Sequence, residues 1–267
     1  MNGNPMLGQP LDAGDVDAAA RALGTSGAHV RAVLSVEASG SGYLDGDATG
    51  LRPPRILFEA HVFARETGGR YNDSHPRLSS ARWKRSLYQG GLAEHERLRR
   101  AAVLDREAAY RSASWGIFQV MGFNHAAAGY DRLADFVGVQ YVSEGLQLDC
   151  GVRFIQANGL DGPLRQSDWR AFARGYNGPG YARNDYHTRL AAALEHFQAA
   201  DAHADDHVTA LQQALNRAGF NLAVDGIRGS RTDAAVREFQ DRAGLAVDGI
   251  VGPATRAALG LAQEPAP

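Results

Sequence analysis

Ten residues near the C-terminus occur twice. AVDGIRGSRT at 223–232 returns as AVDGIVGPAT at 246–255, 23 residues later. Each copy supplies an Asp-Gly turn, a further glycine and then a helix start: Ser230 with Asp233 makes a capping-box-like pair, and Pro253 suits a first helical turn. With the helical stretch VTALQQALNRAGF at 208–220, the repeat predicts a compact three-helix unit of residues 207–262, leaving 263–267 as a tail.

Upstream, QAADAHADD at 198–206 is rich in Ala and Asp without apolar periodicity, so 199–206 is expected as a linker and 1–198 as the larger domain. That region reads as mostly helical. Helices are expected over 15–23, 26–38, 54–66, 92–109, 132–137, 143–158, 168–174 and 182–197. No series of alternating strands stands out, so a parallel sheet is not expected and the fold class is mainly α.

The totals exclude more than they assign. A net charge of −2 predicts neither a nucleic-acid nor a membrane surface, although residues 70–111 hold ten Lys or Arg against five Asp or Glu. The single cysteine, Cys150, permits no disulfide within the chain, and its neighbours LQLDCGVRFI read as a buried helix, which makes a core thiol rather than a nucleophile. Among nine histidines there is no H-E-x-x-H; the one close pair, His203 and His207, reads as a surface pair, and no metal or other cofactor is expected. The duplicated Asp-Gly segments lack the oxygen ligands of a calcium loop, having Ala223 and Asn221 in one copy and Ala246 and Gly244 in the other where such ligands belong. The N-terminal stretch MNGNPMLGQPLDAGD has no secretion-signal pattern, and no run approaches the roughly 18 apolar residues of a membrane span. Carboxylate chemistry remains.

Glu37 carries the strongest indication of it. In VLSVEASGSG the residues Val30, Val33, Leu34 and Glu37 share one helix face, so an acid ends an apolar stripe and is followed by a glycine-containing break. Three polar stretches mix aromatics, amides and glycines as a carbohydrate groove requires: Glu37 to Tyr43, Ser112 to Gly122, and Gly175 to Tyr181. In this order they resemble the lysozyme-like superfamily. The segments VEASGSGY, ILFEAHVF and SASWGIFQVMGFN resemble more closely the phage and bacterial N-acetylmuramidase (endolysin) family, over residues 14–197. Lytic transglycosylases carry Ser directly after the catalytic Glu and G-L-M-Q in the middle motif, where this chain has Ala38 and G-I-F-Q, which favours the muramidase branch. The repeated C-terminal segments resemble the small helical peptidoglycan-binding domain; it stands last here, where that family usually has it first.

The resemblance implies a lysozyme-like helical catalytic domain followed by a small three-helix peptidoglycan-binding domain. It further implies hydrolysis of the β-1,4 bond between N-acetylmuramic acid and N-acetylglucosamine, with Glu37 as general acid. An apolar surround favours the protonated form that such an acid needs. For Glu59, within ILFEAHVF, two readings stand: it orients or activates water, or it is a buried partner of an arginine or of His61. By position in the motifs, Gln119 and Asn177 are expected to bind N-acetyl groups, and Tyr43, Phe118 and Tyr176 to meet sugar faces. Ser114 is placed in the same groove, and Trp115 is read as core. The basic segment Arg97 to Arg111 suits anionic peptide stems, or is a solvated helix. The expected partner is the peptidoglycan glycan strand, met by a monomer made in the host cytoplasm and acting on the wall after release. Formation of 1,6-anhydro products, as by a lytic transglycosylase, and noncatalytic wall binding are the alternatives.

Overall fold

The computed structural model describes residues 7–37, 40–45, 52–178, 185–222, 224, 226 and 228–262. The chain divides into two compact units, Met1–Glu195 and His196–Pro267.

The first unit is mainly helical. Helix α1 (Ala13–Leu23) starts in a reciprocal capping box between Asp12 and Asp15, stops at Gly24 with φ of 64°, and buries Val16, Ala19, Ala20 and Leu23 on one face. It packs against α2 (Gly27–Glu37) and α7 (Glu144–Ala157). α2 buries Val30, Val33 and Leu34, so Glu37 does end an apolar stripe. α7 carries Leu148, Cys150, Val152 and Ile155 into the core. Cys150 is fully buried, accepts a hydrogen bond from Gln140 at 3.2 Å, and burial pushes its thiol up to about 11. The remaining helices of this unit are α3 (Ala60–Glu66), α4 (Leu92–Leu104), α5 (Arg106–Arg111), α6 (Leu133–Gln140), α8 (Asp161–Arg165) and α9 (Trp169–Asn177).

A three-stranded antiparallel sheet departs from the expected pattern. β1 (Ile56–Phe58) pairs with β2 (Ala113–Trp115), opposing Ile56 to Trp115 and Phe58 to Ala113, and β2 pairs with β3 (Val120–Met121). The single helix expected over 54–66 is therefore a strand followed by α3. A short apolar run does not distinguish the two states, and here the partner strand, more than fifty residues away, decides. The helix expected over 92–109 is likewise two. Asp105 leaves α4 in an extended conformation (φ −156°) and caps α5, accepting from Ala108 N–H at 3.0 Å.

Helix α10 (Tyr186–Arg217) contains the boundary between the units. The stretch 199–206, expected as a linker, is helical within it, since alanine is the best helix former and overrides the lack of apolar periodicity. In the second unit, α11 (Ser230–Arg242) and α12 (Pro253–Ala258) enclose a core of Leu211, Ala214, Leu215, Ala235, Val236 and Leu259. The repeat is built around two buried glutamines. Gln212 accepts from Gly226 N–H at 3.0 Å and donates to Thr232 at 3.4 Å. Gln240 accepts from Gly249 N–H at 2.8 Å and donates to Asp248, Ile250 O and Thr255. Asp248 is spent in the turn, its Oδ1 also accepting from Ile250 N–H at 2.7 Å. Truncating Gln240 leaves several buried groups unsatisfied, so Gln240→Ala is expected to destabilise the second unit by roughly 2–4 kcal/mol. Calorimetry of the full chain reads this as a downward shift of one transition alone.

Candidate active site

Glu37 is the last residue of α2, half-buried, and Tyr186 at the start of α10 donates a hydrogen bond to its Oε1. Tyr186 is itself buried, at 7% exposed. Tyr176 on α9 faces the same carboxylate: burial first, and then the charge of Glu37, push its hydroxyl well above the usual tyrosine value. That hydroxyl donates to Phe118 O at 3.2 Å, and its ring stacks on Phe172 with centroids 5.6 Å apart. Glu37, Tyr176 and Phe118 therefore stand together.

The turn between β2 and β3 carries the next group. Gln119 holds the left-handed conformation (φ 50°), which non-glycine residues adopt only under constraint. Its amide supplies the constraint: Nε2 donates to Gly116 O at 2.8 Å and to Arg55 O at 3.2 Å, while Oε1 accepts from Ser114 at 2.8 Å. Both amide hydrogens are thus spent on the turn, and Oε1 keeps one lone pair for a ligand. Ser114, expected as a groove residue, is 5% exposed and serves Gln119.

Glu59 lies at the other end of β1. Its N–H donates to Ser112 O at 2.9 Å, and the backbone from Arg55 to Glu59 covers roughly 13 Å at strand rise. Its side chain is 16% exposed; Oε2 accepts from Tyr88 and lies 3.1 Å from His61 Nδ1. The pairing with His61 is present, as one of the two readings had it. No hydrogen bond or ion pair of Oε1 is found among the described residues. Burial first, then the bond to Glu59 and its charge, raise the Tyr88 hydroxyl. Tyr88 lies under Arg97, whose guanidinium carbon is 6.0 Å from its ring centre. Arg97 forms a buried pair with Glu94 at 2.6 Å, both at most 3% exposed. Glu94 also accepts from Phe58, Gln89 and Gly90 N–H, and Arg97 donates to Phe58 O, so the pair ties the Tyr88 loop to β1. Arg97 is therefore not a solvated cation, and Arg99 and Arg111 pair with Glu96 and Glu66.

Two aromatic assignments need correction. Tyr43 is 2% exposed and Phe118 is 4% exposed, so neither presents a ring face to a ligand. Tyr43 bridges Pro54, and burial raises its hydroxyl to about 12. The Phe118 ring lies where a Cβ on Gly151 would come within 2.6 Å of it. Trp115 is core, as expected, at 1% exposed and stacked on Tyr110. The Asn177 side chain lies outside the described residues, as do residues 38–39 after Glu37.

Sequence reasoning missed Tyr186, Tyr88, the Glu94–Arg97 pair and Glu144. Glu144, 6% exposed in the first turn of α7, anchors the segment after Glu37: Oε1 accepts from Ser41 at 2.6 Å and Gly42 N–H at 2.7 Å, and Oε2 from Leu11 N–H at 2.8 Å. Gly42 is required there, because a Cβ would come within 2.0 Å of Gln147 Oε1. The only local indication of these partners was a serine before Glu144 at a helix start, a pattern common to ordinary caps.

Comparisons with known proteins place both units in families. The N-acetylmuramidase family matches residues 26–198, and a peptidoglycan-binding domain family matches 204–259. Among solved structures, the crystal structure of Burkholderia AP3 phage endolysin is 36% identical and superposes with a TM-score of 0.65, covering 72% of each chain. No curated protein matches.

Proposed function

The chain belongs to the N-acetylmuramidase family, and from that premise we propose that it is a modular endolysin hydrolysing the β-1,4 bond between N-acetylmuramic acid and N-acetylglucosamine. The observation that carries the proposal is a pair of carboxylates, each held by a tyrosine hydroxyl: Glu37 by Tyr186 and Glu59 by Tyr88.

Glycoside hydrolysis needs an acid for the leaving oxygen and a base for water. Tyr186 donates to Glu37 Oε1, and the protonated Glu37 carboxyl delivers its proton to the glycosidic oxygen. On Glu59, Tyr88 and His61 occupy Oε2, and Oε1 takes a proton from the water that attacks the anomeric carbon from the opposite face. Glu37 loses one proton and Glu59 gains one, and exchange with solvent restores both. The anomeric centre inverts. The second unit holds the enzyme at an insoluble substrate and raises its local concentration there. Among the described residues no helix is long and apolar enough to cross a membrane. The proposal includes action at the wall after release from the host cytoplasm.

Purified protein acting on sacculi is expected to release fragments with free reducing ends and the added elements of water. Products that are solely 1,6-anhydro, or binding without loss of turbidity, would overturn the reading. Glu59→Gln keeps the size of the side chain but not the base, and is expected to lower the rate at least ~10²-fold. A variant of unchanged rate would remove Glu59 from the reaction.

A further inference from the structure

We propose that Trp83 and the cations around it form an additional glycan subsite next to Glu59, the indole receiving a pyranose ring and the cations the carboxylates of its attached peptide. The inference rests on the glycosidase reading above. Trp83 is 58% exposed, whereas Trp115 and Trp169 are 1% and 7% exposed, so it is the accessible one of the chain's three indoles. Its ring lies 6.0 Å from that of Tyr88, tilted by 46°, and Tyr88 donates directly to Glu59. An accessible indole is thus one residue removed from a candidate catalytic carboxylate.

The loop that carries Trp83 is clamped at both ends. Ser80 N–H donates to Ala60 O at 3.1 Å and its hydroxyl to Arg82 O at 2.8 Å; Gln89 and Gly90 donate to buried Glu94. A flat apolar ring held in place and left in water is the form of a sugar platform, because pyranose C–H faces stack on aromatic rings and a fixed partner loses little entropy on binding. Arg82, Lys84 and Arg85 flank it, all exposed. No ion pair engages them among the described residues, in contrast with Arg97, Arg99 and Arg111. Unpaired guanidinium and ammonium groups beside a sugar platform select a sugar that carries carboxylates, and a peptide-substituted glycan supplies them.

N-bromosuccinimide oxidation tests this through the accessible indole. In Glu37→Gln protein, soluble glycan fragments bearing their peptides are expected to slow oxidation of Trp83 more than ~5-fold. Fragments stripped of peptide, or high salt, are expected to protect markedly less. In the active enzyme, Trp83→Ala is expected to raise the half-saturating fragment concentration ~10-fold with little change in maximal rate, and Trp83→Phe to recover most of the loss. Unprotected oxidation together with unchanged half-saturation in Trp83→Ala overturns the platform. Equal protection by stripped and intact fragments overturns the role of the cations. Wild-type protein that releases no reducing ends from sacculi is a failure of the glycosidase reading instead, and the oxidation assay, which needs no turnover, keeps the two apart.

Discussion

Glu37→Gln is expected to lower wall lysis by at least ~10³-fold while leaving the fold intact. The substitution keeps side-chain size and the oxygen that accepts from Tyr186, but the amide has no proton of comparable acidity to deliver. General acid catalysis contributes on the order of 10²–10⁴-fold, and a leaving alkoxide without a donor sits at the upper part of that range. Reducing-end release from sacculi measures the loss, and circular dichroism with thermal melting checks the fold. Binding to sacculi should persist, since the second unit carries no part of the reaction. Lysis within a few-fold of wild type would remove Glu37 from the mechanism.

The largest effect on stability is expected at Glu94. Glu94→Ala leaves Arg97 charged, 3% exposed and without its carboxylate, and strips the acceptor from Phe58, Gln89 and Gly90 N–H. Removing one partner of a buried pair costs about 3–5 kcal/mol, which for a unit of this size lowers Tm by roughly 6–20 °C. Activity should fall with it, since the loop that brings Tyr88 to Glu59 is untied. Glu96→Ala is the control: Glu96 pairs with Arg99 on the same helix, but the pair is 53% and 70% exposed, and the melting temperature should hardly move. Equal melting shifts for the two variants would show that the buried pair has no special weight.

What the sequence disclosed followed the range of the forces involved. The face of α2 that ends in Glu37 and the start of α12 at Pro253 depend on residues within a turn or two, and both were readable. β1 was not, because Ile56–Phe58 takes its conformation from Ala113–Trp115. Tyr186 meets Glu37 across 149 positions and Glu144 meets Gly42 across 102, and no periodicity encodes such pairs. Tyr43 and Phe118 show the opposite error. Motif position put them in the groove, but a motif is kept as much for the packing that shapes a groove as for contacts inside it. The sheet went unread for a related reason: Ser112 to Gly122 was read as a polar stretch, although it holds both strands of a hairpin, and β1 joins that hairpin from more than fifty residues away.

The two glutamines of the second unit have a consequence for how such a module can change over time. In each copy a single side chain accepts from one glycine N–H and donates to the threonine of the next helix, yet it reaches that glycine from 14 residues away in one copy and from 9 in the other. The joint therefore tolerates a different length of chain on its way in. It also tolerates different residues around it, since Arg228 and Ser230 in one copy stand where Val251 and Pro253 stand in the other. With Gln, Gly and Thr retained, several positions between them carry different residues in the two copies. A module of this kind can change between its hydrogen-bonded joints without losing the joints themselves.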